Sequence, residues 1–298
     1  MATKHIAVVG GMNMDIGGRP EGRLVARDSN PGAVTMRPGG VGHNIACDLR
    51  LLGLEVSLLT AVGDDFFGSA LLESCRAAGI DTRLSLLCPG MRSSTYLYVN
   101  GEDGDMQLAI ADMEVTARIT PEALAPQLGA LNGADAVVLD ANLSTETLEY
   151  LAQHVSVPLY ADAVSTAKAP RLLPLLDRLA ALKPNAIEAE ILTGEHDAEQ
   201  AARALLRRGV ERVFVSIGAG GLIAAEGERL LRLPCIPARS VNTTGAGDAA
   251  TAAVVWSGVC GLTLEQTALA ALTAGAWATE SEEPDSPRLR ELPALFGL

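Results

Sequence analysis

The fold is constrained most by a regular alternation of short apolar runs with longer amphipathic ones. The apolar runs are rich in Val, Ile and Leu and lie at 5–10, 56–62, 135–141, 158–162 and 212–218. Helical patterns separate them, at 44–52, 67–78, 121–131, 145–153 and 198–208. Strands that are apolar throughout are typical of sheets buried on both faces. The pattern therefore predicts an α/β fold with a doubly wound, mostly parallel sheet flanked by helices.

Two stretches interrupt this alternation, at 12–37 and 93–111. The first is rich in Gly, Pro and Asn, and the second carries a Gly-Glu-Asp-Gly turn at 101–104 between strand-like runs. Such patterns predict hairpin strands rather than β-α units. We expect one domain over 1–298, with a small β-sheet lid formed by the two insertions. The lid would cover the carboxyl edge of the main sheet, where α/β proteins bind ligands.

Charge and composition exclude several classes of partner. The 298 residues carry a net charge of −13, which disfavours binding to nucleic acid and to anionic lipid. No apolar run reaches the roughly 18 residues that a membrane span needs. The five cysteines are odd in number and contain no C-x-x-C pair, so neither a disulfide framework nor a zinc site is predicted. We expect a cytoplasmic protein without nucleic-acid or membrane partners.

The sequence TTGAGDA at 243–249 precedes a helix of small residues. The amino end of a helix attracts anions, and glycine lets a phosphate approach the backbone N–H groups. In a phosphoryl transfer, the amides at 245–248 would hold negative charge while Asp248 accepts the proton of an attacking hydroxyl. The alternative is structural: Asp248 caps the helix and the two glycines serve a tight turn. None of the three lysines lies in a P-loop frame.

Three further segments accompany this one: PGGVGHNIACDLRLLG at 38–53, KPNAIEAE at 183–190 and VSIGAGG at 215–221. Together the four motifs resemble those of the ribokinase-like carbohydrate kinases, the phosphofructokinase B family, in order and spacing. The resemblance covers essentially the whole chain. It implies the same α/β fold with a β lid and, for many members, a homodimer formed through the lid.

The resemblance also implies roles for the motif residues. Asp248 would be the catalytic base, with an anion hole formed by Gly245, Ala246 and Gly247. Asn185 and Glu188 would orient Mg²⁺ and phosphate, with Glu188 acting through water; alternatively, both only begin an exposed helix. The expected ATP-binding residues are Ser216, Gly218 and Gly221. The expected sugar-binding residues are Asn13, Asp15, Gly39, Gly40 and Asn44.

The segments at 10–18, 28–32, 94–113 and 160–168 are more similar to pseudouridine kinases than to ribokinases. Pseudouridine is therefore the expected substrate, phosphorylated on its ribose 5′-hydroxyl by ATP. Asp112 and Lys168 are candidates for contacts to the uracil ring, although either can equally be an ordinary turn or surface residue. The alternatives are a kinase for ribose or another nucleoside and a sugar-binding protein without catalysis. GGMNMD after the first strand does not supply the G-x-G-x-x-G of a dinucleotide-binding oxidoreductase.

Two positions depart from the family's pattern. Asn242 stands where the family often has Asp, at a position associated with monovalent cations, so dependence on such a cation stays open. His43 stands where a pseudouridine kinase can carry Arg. A neutral imidazole would contact a phosphate or a base carbonyl more weakly than a guanidinium. His43 can also be an ordinary residue of the first helical turn.

Overall fold

The computed structural model describes residues 4–102, 105–282 and 285–298. An eight-stranded sheet flanked by helices and a separate four-stranded sheet confirm the expected α/β fold. The strands are β1 (His5–Val9), β2 (Asn13–Pro20), β3 (Gly32–Gly39), β4 (Glu55–Leu59), β5 (Ala61–Gly63), β6 (Leu86–Cys88), β7 (Thr95–Asn100), β8 (Met106–Asp112), β9 (Ala136–Asp140), β10 (Leu159–Asp162), β11 (Leu179–Leu182), β12 (Arg212–Ser216), β13 (Leu222–Glu226) and β14 (Arg229–Leu233).

Helices surround the large sheet. The α-helices are α1 (Val41–Leu51), α2 (Phe66–Ala77), α3 (Pro121–Leu124), α4 (Leu128–Asn132), α5 (Thr145–His154), α6 (Ala186–Thr193), α7 (Ala198–Arg207), α8 (Ala246–Val259), α9 (Leu264–Thr279) and α10 (Leu292–Leu295). Short 3₁₀ segments lie at Glu114–Arg118, Ala125–Gln127, Ala169–Arg178, Gly218–Gly220 and Pro287–Glu291. Within the described ranges, none of the helices combines the length and the apolar character needed to cross a bilayer.

The large sheet has the order β14-β13-β12-β11-β10-β9-β1-β4. Pairing is parallel from β4 to β12, and only β13 and β14 run antiparallel to their neighbours. Successive side chains of a strand point to opposite faces. In β1, Ile6 and Val8 accordingly join one hydrophobic cluster, whereas Ala7 and Val9 join the other. This two-sided burial explains why the strand sequences are apolar throughout.

Two element predictions were wrong in detail. The run 56–62 is not one strand, because pairing stops at Thr60 and β5 pairs with β6 in a separate two-stranded sheet. The run 121–131 is not one helix, because a 3₁₀ turn that contains Pro126 separates α3 from α4. Proline has no N–H to donate and clashes with the preceding turn, which disrupts a regular helix.

The four-stranded sheet has the order β3-β2-β7-β8 and is built from the two stretches that interrupt the α/β pattern. Its register places Asp15 beside Arg37 of β3 and Tyr96 of β7, on one face of the sheet. The strand β2 begins at Asn13, directly after the turn that follows β1, so the sheet stands at the carboxyl edge of the large sheet. Asp103 and Gly104 of the expected 101–104 turn lie outside the described residues.

Candidate active site

Polar residues collect at the carboxyl edge of the large sheet. Asp140 ends β9, Asp162 ends β10, Lys183 follows β11 and Ser216 ends β12. The parallel strands bring these ends to the same edge, where ligands bind in open α/β sheets. The amino end of α8, which carries Asp248, faces the same edge, because Thr251 Oγ1 of α8 donates to Asp162 Oδ2 at 2.6 Å.

The expected anion hole forms the first turn of α8. Gly245 caps the helix in the left-handed region, with φ of 84°, which favours glycine. A Cβ atom at Gly247 would lie 3.8 Å from the ammonium nitrogen of Lys183, and Lys183 is only 5% exposed. A buried cation therefore adds to the positive end of the helix. Lys183 had not been expected in the site, although it is one of only three lysines and directly precedes Pro184-Asn185.

Asp248 is partly exposed and lies among charged and polar groups. The loss of water around its carboxylate and the charge of Asp162 raise its pKa to about 7. A hydrogen bond from Asn44 Nδ2 to Asp248 Oδ2, 2.7 Å long, and the charge of Lys183 act in the opposite direction. A carboxyl group with a pKa near neutrality is suited to general base catalysis, because it accepts a proton readily and is still ionised in part.

The residues expected to bind the sugar lie together. Asn13 Nδ2 donates to Asp15 Oδ1 at 2.5 Å, and burial raises the pKa of Asp15. Gly39 pairs with Asn13 across the sheet, and a Cβ atom there would overlap the Asp15 carboxylate. Gly40 has φ of 99° and starts α1, which brings Asn44 to Asp248. The bond between Asn44 and Asp248 therefore joins the motifs expected to bind the sugar to the expected anion hole.

Asp140 organises the start of this region and had not been expected from the sequence. Its Oδ2 atom accepts hydrogen bonds from the backbone N–H groups of Gly11 and Gly42, at 2.8 and 3.0 Å. The same oxygen accepts from Asn142 Nδ2 at 2.9 Å, and Lys168 Nζ donates to Asn142 Oδ1 at 2.6 Å. Asp140 thus connects the turn after β1, the start of α1 and Lys168.

Lys168 borders a cavity of about 350 Å³. The polar residues that line the cavity are Thr116, Asn142, Ser144, Thr145, Lys168 and Arg171. Asp112 ends β8 and forms an ion pair with Arg92 at 3.1 Å. Met113, which directly follows Asp112 in the chain, also lines the cavity. Lys168 is thus connected to the Asp140 network, whereas Asp112 is held by Arg92 near the margin of the cavity.

Asn185 and Glu188 form a capping box at the start of α6. Asn185 Oδ1 accepts from the Glu188 N–H, and Glu188 Oε2 accepts from the Asn185 N–H, both at 2.9 Å. Glu188 is only 7% exposed, and burial raises its pKa, whereas Asn185 is exposed, so the expected exposed helix start holds for Asn185 but not for Glu188. Ser216 lies beside Asn185, because its N–H donates to the Pro184 carbonyl at 3.0 Å. The strand expected to bind the nucleotide and the Asn-x-x-Glu motif are therefore neighbours.

The donor set at Glu188 fits magnesium. Mg²⁺ keeps several waters and often takes only one or two protein carboxylates together with substrate phosphates. The capping bond uses Glu188 Oε2. Within 4–102, 105–282 and 285–298, the structure contains no group of three or more His, Cys, Asp or Glu side chains that could enclose a metal. The residues suit an ion held mainly by water and phosphate.

The two glycines of the loop expected to bind the nucleotide differ in their surroundings. Gly218 opens the 3₁₀ turn with φ of 54°, and a Cβ atom there would meet open space. Gly221 has φ of 94°, and a Cβ atom there would overlap the carbonyl oxygen of Leu233 in β14. Packing against β14 therefore requires glycine at Gly221 whether or not a phosphate binds, whereas the surface at Gly218 is open to a ligand.

Asn242 shapes the loop before Gly245. Its Oδ1 atom accepts from the Thr244 N–H at 3.0 Å, and its own N–H donates to the Thr279 carbonyl at 3.1 Å. A cavity of about 720 Å³ lies between this loop and the face of the four-stranded sheet that carries Asp15 and Tyr96. The small sheet therefore faces the loop at 241–244, directly before the expected anion hole, across an open space.

Comparison with protein families agrees with this geometry. Residues 3–290 match the model of the pfkB family carbohydrate kinases. The chain belongs to the PfkB family of carbohydrate kinases. This kinase is 34% identical over 293 residues to the pseudouridine kinase of Escherichia coli K12, with 96% of this chain and 93% of that protein covered. It is 28% identical to a guanosine-inosine kinase of Exiguobacterium acetylicum, with 91% of each chain covered.

A solved structure gives the same fold. The ribokinase of Arabidopsis thaliana, complexed with ribose and ATP, superimposes on the kinase with a TM-score of 0.85. The superposition covers 99% of each chain at 22% identity. The expected family and its two-sheet architecture are thus confirmed, and the protein is a sugar or nucleoside kinase.

Proposed function

We propose that the kinase transfers the γ-phosphoryl group of ATP to the ribose 5′-hydroxyl of pseudouridine. The observation that carries this proposal is the 2.7 Å hydrogen bond between Asn44 and Asp248. It joins a polar sugar-binding region around Asp15 to a helix amino end suited to phosphate. One hydroxyl of a sugar held at Asp15 would then lie near the base, next to the anion hole.

In the proposed reaction, Asp248 accepts the proton of the 5′-hydroxyl as its oxygen bonds to the γ-phosphorus. The bond from that phosphorus to the bridging oxygen of ADP breaks at the same time, so the products are the 5′-phosphate and ADP. The N–H groups of Gly245, Ala246 and Gly247, with the Lys183 ammonium nearby, would hold the charge on the transferred group. Asp15 and Asn13 would orient the ribose diol through hydrogen bonds.

ATP would lie along the loop that includes Ser216, Gly218 and Gly221. Mg²⁺ would be held near Glu188 and Asn185 through water, and when bound it neutralises phosphate charge. Glu188 is supported in this role by its burial and by the capping bond from the Asn185 N–H, which fixes the carboxylate at the start of α6. Asn242 carries no charge to offer a monovalent cation, and dependence on such a cation remains a prediction to test.

Pseudouridine is supported as the substrate by the 34% identity to a pseudouridine kinase and by the polar cavity at Lys168. Uracil presents two carbonyl oxygens and, when attached through carbon, two N–H groups. Lys168 can donate to a carbonyl, and the hydroxyls of Ser144 and Thr145 can donate or accept. Asp112 remains a second candidate, because release from Arg92 would let it accept from an N–H group. The similarity to a guanosine-inosine kinase and to a ribokinase fold keeps other nucleosides and ribose as the alternative.

We also propose that two copies pair through the four-stranded sheet, which would act as the lid. Its register places Met36, Ile16, Leu97 and Ile110 in one row across the face opposite to Asp15. Met36, Leu97 and Ile110 of this row are exposed. A second copy would cover this apolar face, so Ile110→Lys should convert a dimer to a monomer in sedimentation experiments. A wild-type protein that sediments as a monomer would refute the pairing.

A cytoplasmic location is part of the proposal. All five cysteines are free thiols, and Cys47 and Cys75 are buried within the core. A reducing compartment preserves such thiols, whereas oxidising compartments favour disulfides. Fractionation of cells that produce the kinase would test this expectation, with activity in the membrane or secreted fraction as the contrary outcome.

The reaction is tested by ADP release from Mg-ATP with pseudouridine, uridine, inosine, ribose, adenosine and fructose, with product masses determined. A kcat/KM for pseudouridine well above the others supports the substrate assignment. Preference for another acceptor retains the kinase and rejects pseudouridine. Failure to phosphorylate any of them would instead favour a binding protein that has lost catalysis.

The base is tested with Asp248→Asn. We expect kcat to fall by about 10²-fold or more, because a positioned base contributes roughly 10²–10⁴. The KM for ATP should stay within a few-fold of wild type. Turnover close to that of the wild-type enzyme would remove Asp248 from this role.

A further inference from the structure

A chain of buried hydrogen bonds continues behind the contact between Asn44 and Asp248. His43 lies in the first turn of α1 and is only 6% exposed. Its Nδ1 atom lies 3.3 Å from Asn44 Oδ1, and its Nε2 atom lies 3.6 Å from the Cys47 sulfur. Cys47, His43, Asn44 and Asp248 therefore form one continuous series.

One arrangement of protons gives every contact in this series a donor and an acceptor. Burial raises the pKa of Cys47, so its sulfur stays protonated and can donate. Burial also lowers the pKa of His43, so the ring stays neutral and carries a single proton. If the Cys47 thiol donates to Nε2, the ring proton must be on Nδ1. The Nδ1–H group then donates to Asn44 Oδ1, which leaves the Asn44 amide nitrogen to donate to Asp248.

We infer that His43 is a positioning residue that fixes the orientation of the Asn44 amide and thereby the state of the base. The inference rests on the proposed role of Asp248. An asparagine amide can rotate to exchange its oxygen and nitrogen, and the rotated form would turn Asn44 Oδ1 towards the Asp248 carboxylate. Two acceptors would then face each other. A donor at His43 favours the productive orientation, in which Asn44 stabilises the ionised base.

The charged groups around these residues come from other elements as well. Asp248 is near Asp140 of β9, Asp162 of β10 and Lys183 after β11, and Asp285 acts on His43. Asp48 lies one helical turn after Asn44, where burial and the charge of Asp248 raise its pKa well above the usual range. Substitution of His43 leaves all of these groups in place. A change in the titration of Asp248 would therefore arise through Asn44.

The test compares His43→Leu, which removes the donor, with His43→Asn, whose amide nitrogen can occupy the place of Nδ1. We expect His43→Leu to lower kcat about three- to tenfold, the effect of losing one hydrogen bond. The acidic limb of the kcat/KM profile for the nucleoside should move to higher pH by about half a unit to one unit, because the base loses a hydrogen bond that favours its charged form. His43→Asn should restore most of both quantities.

Two further variants separate this role from packing. Ile45→Val shortens a fully buried side chain on the same helix and should lower the unfolding midpoint without moving the acidic limb. Cys47→Ser retains a donor to Nε2, whereas Cys47→Ala removes it, so only the alanine variant should show part of the His43→Leu shift.

A His43→Leu enzyme with the wild-type pH profile and kcat would overturn the inference. A lower unfolding midpoint without a shift of the acidic limb would also overturn it, since that result describes packing alone. Failure of the proposed function itself looks different. If the proposed activity fails, the wild-type protein does not phosphorylate pseudouridine, and if only the proposed role of Asp248 fails, Asp248→Asn retains turnover. Failure of the inference alone leaves the wild type active, Asp248→Asn strongly impaired and His43→Leu normal.

Discussion

Replacing Asp248 with asparagine should make the protein more stable while it removes activity, and the gain should increase with pH. The folded environment raises the pKa of Asp248 from 3.8 to about 7, mainly because the carboxylate loses contact with water. A group whose pKa is raised on folding binds its proton more tightly in the folded state. Stability is therefore lost as the pH rises from about 4 to about 7, where the unfolded chain ionises more readily.

The size of this gain in stability follows from how far folding raises the pKa of Asp248. A difference of about 3 pKa units, at about 1.4 kcal/mol per unit, sets an upper limit of about 4 kcal/mol. Asp248 is partly exposed, so solvent reduces the penalty, and we expect about 1–3 kcal/mol at pH 8. Asparagine keeps the shape and can still accept from Asn44, but it carries no charge. A chain of this length has an unfolding entropy of about 0.6 kcal/mol/K, so the gain corresponds to a rise of about 2–5 °C in the unfolding midpoint.

The assay is thermal unfolding without nucleotide or nucleoside, at pH 4 and at pH 8. Glu228→Gln serves as the control, because it removes one negative charge at an exposed position in the turn between β13 and β14. The midpoint of Asp248→Asn should nearly equal that of the wild type at pH 4 and exceed it at pH 8, whereas the control should show no such trend. An equal difference at both pH values, or a lower midpoint at pH 8, would refute the reasoning.

Three other substitutions test separate parts of the site. Asp48→Asn should also raise the unfolding midpoint above that of the wild type, by an amount that increases with pH. The reason is that the Asp48 carboxyl is fully buried, lacks a hydrogen-bond partner and has a strongly raised pKa. The same difference from the wild type at pH 5 and at pH 9 would contradict this. Gly39→Ala should raise the nucleoside KM about tenfold, because its Cβ atom would overlap the Asp15 carboxylate, while the ATP KM changes less than about twofold. Lys168→Met should raise the KM for pseudouridine about tenfold but leave the KM for ribose nearly unchanged if the cavity binds the base. Steady-state kinetics with both acceptors measures this, and an equal rise in both KM values would instead indicate a general structural role.

The sequence predicted the parts of this molecule that depend on local pattern. Apolar strands such as β1 could be recognised because both faces are buried, and Gly245 to Asp248 could be recognised because the helix amino end and the acid are adjacent in sequence. The break at Thr60 could not be predicted, because it depends on pairing with the distant strand β6.

The same limit applies to the site. Asp140 gave no local signal beyond its position at the end of a strand, since its partner Gly11 lies 129 residues away in the chain. The approach of Lys183 to Gly247 likewise depends on how β11 lies beside α8. Such contacts are created by the sheet order, which the pattern of strands and helices does not specify.

The bond between Asn44 and Asp248 spans 204 residues of sequence, so the two halves of the site leave the ribosome at very different times. The segments expected to bind the sugar emerge first, and Asp248 with the expected anion hole emerges only 204 residues after Asn44. A nascent chain that stops before α8 therefore lacks both the proposed base and the loop expected to hold phosphate. The proposed activity can therefore begin only after α8 has been synthesised and has packed against α1.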